Sequence, residues 1–85
     1  MEREFIIQNE MGLHARPATM LVQKANQFKS SIELVFNGIT VDMKSIMGVL
    51  SLGVTRGSQI LVRINGDDSY DAMKGISKFI AELNE

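Results

Sequence analysis

Asn37-Gly38 lies between two β-favouring runs, and this dipeptide limits the possible folds more than any other feature of the chain. The tightest hairpin turn needs positive φ at both central residues, which asparagine and glycine tolerate best. Ile32, Leu34 and Phe36 before the turn, and Ile39 to Met43 after it, therefore read as antiparallel strands that turn one face to a core. A hairpin of two strands is marginal alone. The rest of the chain must supply more strands or a helical layer.

It supplies both. Glu4 to Gln8 holds Phe5, Ile6 and Ile7 in a short strand-like run, and Gln59 to Asn65 alternates through Ile60, Val62 and Ile64. From Ala15 to Phe28, apolar residues Ala18, Leu21, Val22, Ala25 and Phe28 recur at helical spacing, with Pro17 in the first turn where a missing N–H costs little. Ser45 to Leu52 reads as a short helix, opened by Ser45 as cap and closed by Gly53. Ile46, Met47, Val49, Leu50 and Leu52 are too many apolar residues for one buried stripe, so either the helix is buried all round, with Met47 and Leu50 completing the core, or part of it faces a partner. Asn65-Gly66-Asp67-Asp68 is a turn leading into a last helix, where Asp67, Asp68 and Asp71 suit the positive helix end. Ala72, Ile76, Phe79, Ile80 and Leu83 form its stripe, and Gly75 weakens it by up to about 1 kcal/mol relative to alanine. The order is βαββαβα over residues 1–85 as one domain. The expected fold is an α/β two-layer (α+β) open-faced sandwich, with a four-stranded antiparallel sheet, three helices on one face and solvent on the other.

Composition narrows the chemistry. A chain of 85 residues buries only roughly 60 to 65% of its unfolded surface, leaving little room for a deep substrate cavity and arguing against an independent enzyme. With one histidine and no cysteine, neither a metal site nor a catalytic thiol is expected, and no cofactor is implied. A net charge of −1 argues against a protein that binds nucleic acid through phosphate neutralisation. No apolar run approaches the roughly 20 residues needed to cross a bilayer. A cytoplasmic protein without membrane insertion is expected.

The single histidine, His14, lies in GLHARPA, residues 12 to 18, where a glycine-containing loop enters the first helix. The first amides of a helix lack intrahelical partners and its end is electropositive, so an anion placed there meets ready donors. Arg16 adds a permanent cation. A neutral imidazole can attack phosphorus directly, and phosphoryl transfer needs mainly positioning and charge stabilisation. The same residues read equally as a solvated helix cap or as a site for a free anion without covalent chemistry. Ser45, on its position alone, is a helix cap.

GLHARPA together with KSIMGVLSLG, residues 44 to 53, resembles the HPr family, the histidine-containing phosphocarriers of the bacterial phosphoenolpyruvate-dependent sugar phosphotransferase system. The resemblance runs from the first strand to the last helix. It implies that His14 accepts a phosphoryl group from enzyme I on the ring nitrogen nearer the backbone and passes it to enzyme IIA domains of sugar permeases. Arg16 and the backbone amides of Ala15 and Arg16 would hold the phosphoryl oxygens. Ser45 matches a site modified by HPr kinase/phosphorylase, whose product acts with a catabolite-control transcription factor. A regulatory paralogue of the family has glutamine at the histidine position, so His14 argues for a carrier. The surplus apolar residues Ile46, Met47 and Leu50, joined by Met20, are candidates for partner docking, since methionine adapts to differently shaped surfaces. A monomer that presents one face to successive partners is expected. The alternative is a regulatory module that works mainly as its Ser45-phosphorylated form.

Overall fold

The computed structural model describes residues 1–85. Its elements are β1 (Glu2–Ile6), α1 (Ala15–Ala25), β2 (Ser31–Phe36), β3 (Ile39–Asp42), α2 (Ile46–Ser51), β4 (Gln59–Asn65) and α3 (Ser69–Leu83). The strands form one antiparallel sheet in the order β1-β4-β2-β3. Asn37 and Gly38 both take positive φ, 50° and 76°, and close the β2–β3 hairpin with Phe36 opposite Ile39. Fold class and element order therefore agree with the expectation from sequence.

Alternation decides which face of the sheet is covered. Ile32 and Leu34 of β2, and Ile60, Val62 and Ile64 of β4, are buried. They meet Ala18, Leu21 and Ala25 of α1 and Ala72, Met73, Ile76 and Ile80 of α3 in one core of 17 residues. Fully burying one such aliphatic side chain contributes roughly 1.5 to 3 kcal/mol, so this core outweighs any single polar contact. On the open face, Arg63 of β4 bridges Glu2 of β1 at 3.0 Å and Glu33 of β2 at 3.2 Å. Those exposed pairs contribute at most about 1 kcal/mol each, but they tie three neighbouring strands in register. α1 lies between the other two helices, packing against α2 on one side and α3 on the other.

Two boundaries differ from the sequence reading by more than one residue, and one side chain takes a role it did not indicate. β1 begins at Glu2 and ends at Ile6, two residues before the expected span, because Met1 already pairs with Ile64 through both its amine and its carbonyl. Its charged residues hide the alternation: Phe5 and Ile7 turn to the core while Glu2, Glu4 and Ile6 stay exposed. α1 stops at Ala25 and not at Phe28. Asn26 caps it, and its side-chain amide donates to Val22 O at 2.9 Å and to Lys44 O at 3.2 Å. Phe28 still packs against the core, but from the turn beyond the helix. Gly75 of α3 makes room for that ring, since a Cβ there would lie 2.9 Å from Phe28 Cζ.

The third difference concerns Asp68. It occupies the N-cap position of α3 but makes no capping bond with its side chain. Its carboxylate instead accepts from the amides of Lys29 at 2.8 Å and Ser30 at 2.9 Å and from the Ser30 hydroxyl. It therefore locks the turn after α1 to the start of α3. The Ser30 hydroxyl, followed by the Lys29 amide, holds the Asp68 carboxyl below its ordinary value. A carboxylate depressed in the folded state stabilises the protein above its unfolded pKa, and that contribution fades as pH falls through the folded pKa. Asp68→Asn is therefore expected to be less stable than the wild type at neutral pH. The gap should narrow steadily as pH drops below the ordinary carboxylate range, as urea denaturation at a series of pH values would measure.

Candidate functional site

His14 is the N-cap residue of α1, with φ −82° and ψ −170°, and its side chain makes no capping hydrogen bond. Its carbonyl accepts from Ala18 N at 2.9 Å, starting the helix through the backbone alone. The imidazole is therefore free for other work. His14, Ala15 and Arg16 are exposed, whereas Pro17 and Ala18 are buried and anchor the first turn. The amides of Ala15 and Arg16 donate to no group of the protein, as expected at a helix start, and Pro17 has no N–H to offer. Two free donors, a guanidinium and an uncommitted ring thus share one solvent-facing turn.

The path of the chain into this turn is set by the loop from Gln8 to Leu13. Asn9 closes it locally: its side-chain amide donates to Gly12 O at 2.8 Å, and Gly12 N donates to Asn9 O at 3.1 Å. The Oδ1 of Asn9 is buried without a partner, a condition that costs about 1 to 3 kcal/mol. The loop is held from outside by Leu13 N, which donates to Val54 O at 3.0 Å. Gly12 has φ +63°, and a Cβ there would lie 2.8 Å from Thr55 Cα, with Val54 O closer still. Glycine is needed both for the angle and for the approach of the two backbones.

On the α3 side, Arg16, Pro17 and Met20 face Phe79, Glu82 and Leu83 across an open, largely apolar groove of about 430 Å³. On the α2 side, the contacts from Asn26 to Lys44 and from Leu13 to Val54 run the Lys44–Val54 segment back along α1. Ser45 caps α2, its hydroxyl accepting from Gly48 N at 3.2 Å. Of the apolar surplus, Val49 is buried, whereas Met47 is 74% and Leu50 37% exposed. Ile46 differs from them: it is half-buried and packs against the core. Met20 is 50% exposed.

Three features around this turn are not indicated by the sequence reading. Met11, in the loop before His14, is 65% exposed, and its lack of periodic context left it unmarked. Val54 and the wall formed by Phe79 and Leu83 are distant in sequence from GLHARPA, with no local pattern joining them. No group of three or more His, Cys, Asp or Glu side chains is placed to hold a metal ion, and no helix is long and apolar enough to cross a membrane.

A solvent-facing histidine thus stands at the mouth of α1, beside a sheet of order β1-β4-β2-β3. The family model for the PTS HPr component phosphorylation site matches residues 1–82. A crystal structure of HPr from Thermoanaerobacter tengcongensis superimposes with a TM-score of 0.95 at 39% identity, over 99% of this chain and 94% of that one. The phosphocarrier protein HPr of Bacillus anthracis gives a TM-score of 0.89 at 35% identity, over 94% and 95% of the two chains. Crh, a catabolite repression protein of Bacillus subtilis described as a domain-swapped dimer, gives 0.77 at 34% identity, over 95% and 93%. The chain belongs to the HPr family, phosphocarrier proteins of the phosphotransferase system.

Gly12→Ala tests the loop. Left-handed backbone strain costs about 1 to 3 kcal/mol in a residue with a Cβ, and here the Cβ also meets the Val54–Thr55 backbone. A lowered melting midpoint is expected, with shifted amide resonances from Leu13 to Arg16.

Proposed function

We propose that this protein carries phosphoryl groups from enzyme I to the enzyme IIA domains of sugar permeases, with His14 as the covalent acceptor. The observation that carries the reading is the uncommitted imidazole of His14 beside the free amides of Ala15 and Arg16. The lone pair of the ring nitrogen nearer the backbone attacks phosphorus as the bond from phosphorus to the donor breaks. The proton on the other ring nitrogen stays in place, so no general base is required. The Arg16 guanidinium and the two amides meet the charge on the phosphoryl oxygens. The second transfer reverses these events when a new acceptor replaces the donor. No side chain is assigned to activate water, which suits a group that must survive until the next partner arrives.

Met20, Met47 and Leu50, with Ile46 at their edge, form the proposed docking surface around this turn. Their apolar exposure suits burial against partner proteins, and methionine allows the partners to differ. A monomer keeps that surface available to each in turn, in the cytoplasm where both partners would be met.

Labelling with enzyme I and radioactive phosphoenolpyruvate tests the acceptor. Acid-labile, alkali-stable label is expected on the wild type and none on His14→Ala; an unlabelled, folded wild type would falsify the reading. Arg16→Ala should slow the transfer by at least about tenfold, on the scale of losing one charge-stabilising donor. Met47→Asp, which changes an exposed residue, should raise KM for enzyme I by about fivefold or more at unchanged kcat, as expected for a docking anchor worth over 1 kcal/mol. An unchanged KM would remove Met47 from the docking surface.

A second reading is favoured by the similarity to Crh together with Ser45 at the start of α2. In it the protein acts chiefly after phosphorylation of Ser45 by HPr kinase/phosphorylase, binding a catabolite-control transcription factor. A phosphate there would end the hydroxyl's present role toward Gly48 N and add charge beside Met47. Treatment with the kinase separates the readings: Ser45 left unmodified, or modified without gain in regulator binding, excludes the second.

A further inference from the structure

Asn84, one residue beyond α3, makes two hydrogen bonds to the end of β1. Its Oδ1 accepts from Gln8 N at 2.7 Å, and its Nδ2 donates to Ile6 O at 2.8 Å. β1 is an edge strand, and Ile7 between these two residues pairs inward, donating to Ser58 O at 2.9 Å and accepting from Gly57 N at 2.7 Å. Ile6 O and Gln8 N therefore point to the outer edge, where a further strand would bond. The carboxamide of Asn84 supplies the acceptor and the donor of that missing neighbour. The Asn84 side chain thus clamps the chain just where the loop toward His14 begins.

We propose that Asn84 is a positioning residue for phosphoryl transfer at His14, an inference that rests on the carrier function proposed above. The loop has few other fixings. Within it Asn9 bonds only to Gly12 and leaves Oδ1 unpaired, and its far end is held by the buried Leu13 side chain and the bond from Leu13 to Val54. With both ends held, at Ile7 by Gly57 and Ser58, at Ile6 and Gln8 by Asn84, and at Leu13 by Val54, the direction in which the chain enters α1 is determined. The same clamp fixes the last turn of α3, so that Leu83 and Glu82 stand opposite Arg16 and Pro17. Release of Asn84 would loosen the stem of the loop and the wall facing the guanidinium together. The hydrogen bonds of Asn84 run only to β1, while Met47 and Leu50 of the docking surface lie on α2, across α1 from α3, so its effect is expected chiefly on the transfer step and not on docking at α2.

The test uses the full chain with Asn84→Ala and the near-isosteric Asn84→Asp, which keeps an acceptor for Gln8 N but loses the donor to Ile6 O. Both are compared with the wild type below all melting midpoints, by amide hydrogen exchange and by steady-state phosphorylation with enzyme I and phosphoenolpyruvate. Exchange at Leu13 should quicken in both variants. kcat should fall by about threefold to tenfold, a modest part of what misplacement near a reacting centre can cost, with KM for enzyme I unchanged. Wild-type kcat, a raised KM, or unaltered exchange at Leu13 overturns the proposal; Asn84→Asp decides the matter if the alanine variant does not fold. Absence of label on the wild type would remove the carrier reading itself, whereas a labelled wild type with indifferent variants removes only the role of Asn84.

Discussion

The contact between Gly12-Leu13 and Val54-Thr55 is the constraint on which the helix mouth depends. Two loop backbones approach so closely that no side chain fits at position 12, and a single amide-to-carbonyl bond joins them. Without that approach, α1 could still pack Ala18, Leu21 and Ala25 into the core, because those contacts lie further along the helix. Only the orientation of its first turn would be lost. Core packing therefore secures the helix, and the loop contact secures the direction in which its first residues point.

That division leaves the first turn chemically unoccupied. Many helices satisfy their opening amides with the N-cap side chain, as Ser45 does for α2. His14 does not do this for α1, and the start is held instead by its backbone carbonyl and by buried Pro17. The contrast between the two caps is informative: one hydroxyl is spent on local structure, while one imidazole remains available. An exposed helix end can be both stable and uncommitted when its support comes from residues behind it.

Much of this was legible in the sequence because it rests on local pattern. Asn37-Gly38 located a hairpin, the alternation of Gln59 to Asn65 located β4, and Ser45 marked the start of α2. His14 and Arg16 could be placed at a helix mouth because Pro17 fits only a first turn. What escaped was long-range. Nothing near Asp68 indicates that its carboxylate will serve Ser30 and Lys29 and not its own helix. Charged residues of β1 concealed its alternation, since an edge strand on an open face can carry Glu2 and Glu4 at no cost in burial. The division of α2 into buried Val49, half-buried Ile46 and exposed Met47 depended on how the helix lies against β3 and α1, which periodicity over six residues cannot resolve.

The strand order has a consequence for assembly. β1 has a single neighbour in the sheet, β4, and Met1, just before it, pairs with Ile64, 63 positions away. Closing so long a loop is entropically unfavourable until the intervening chain has already collapsed. The β2–β3 hairpin can form by itself, but the N-terminal strand has no place to dock until residues 57 to 64 are made and folded. The loop that leads from β1 to His14 is therefore anchored only once β4 and the turn before it are in place.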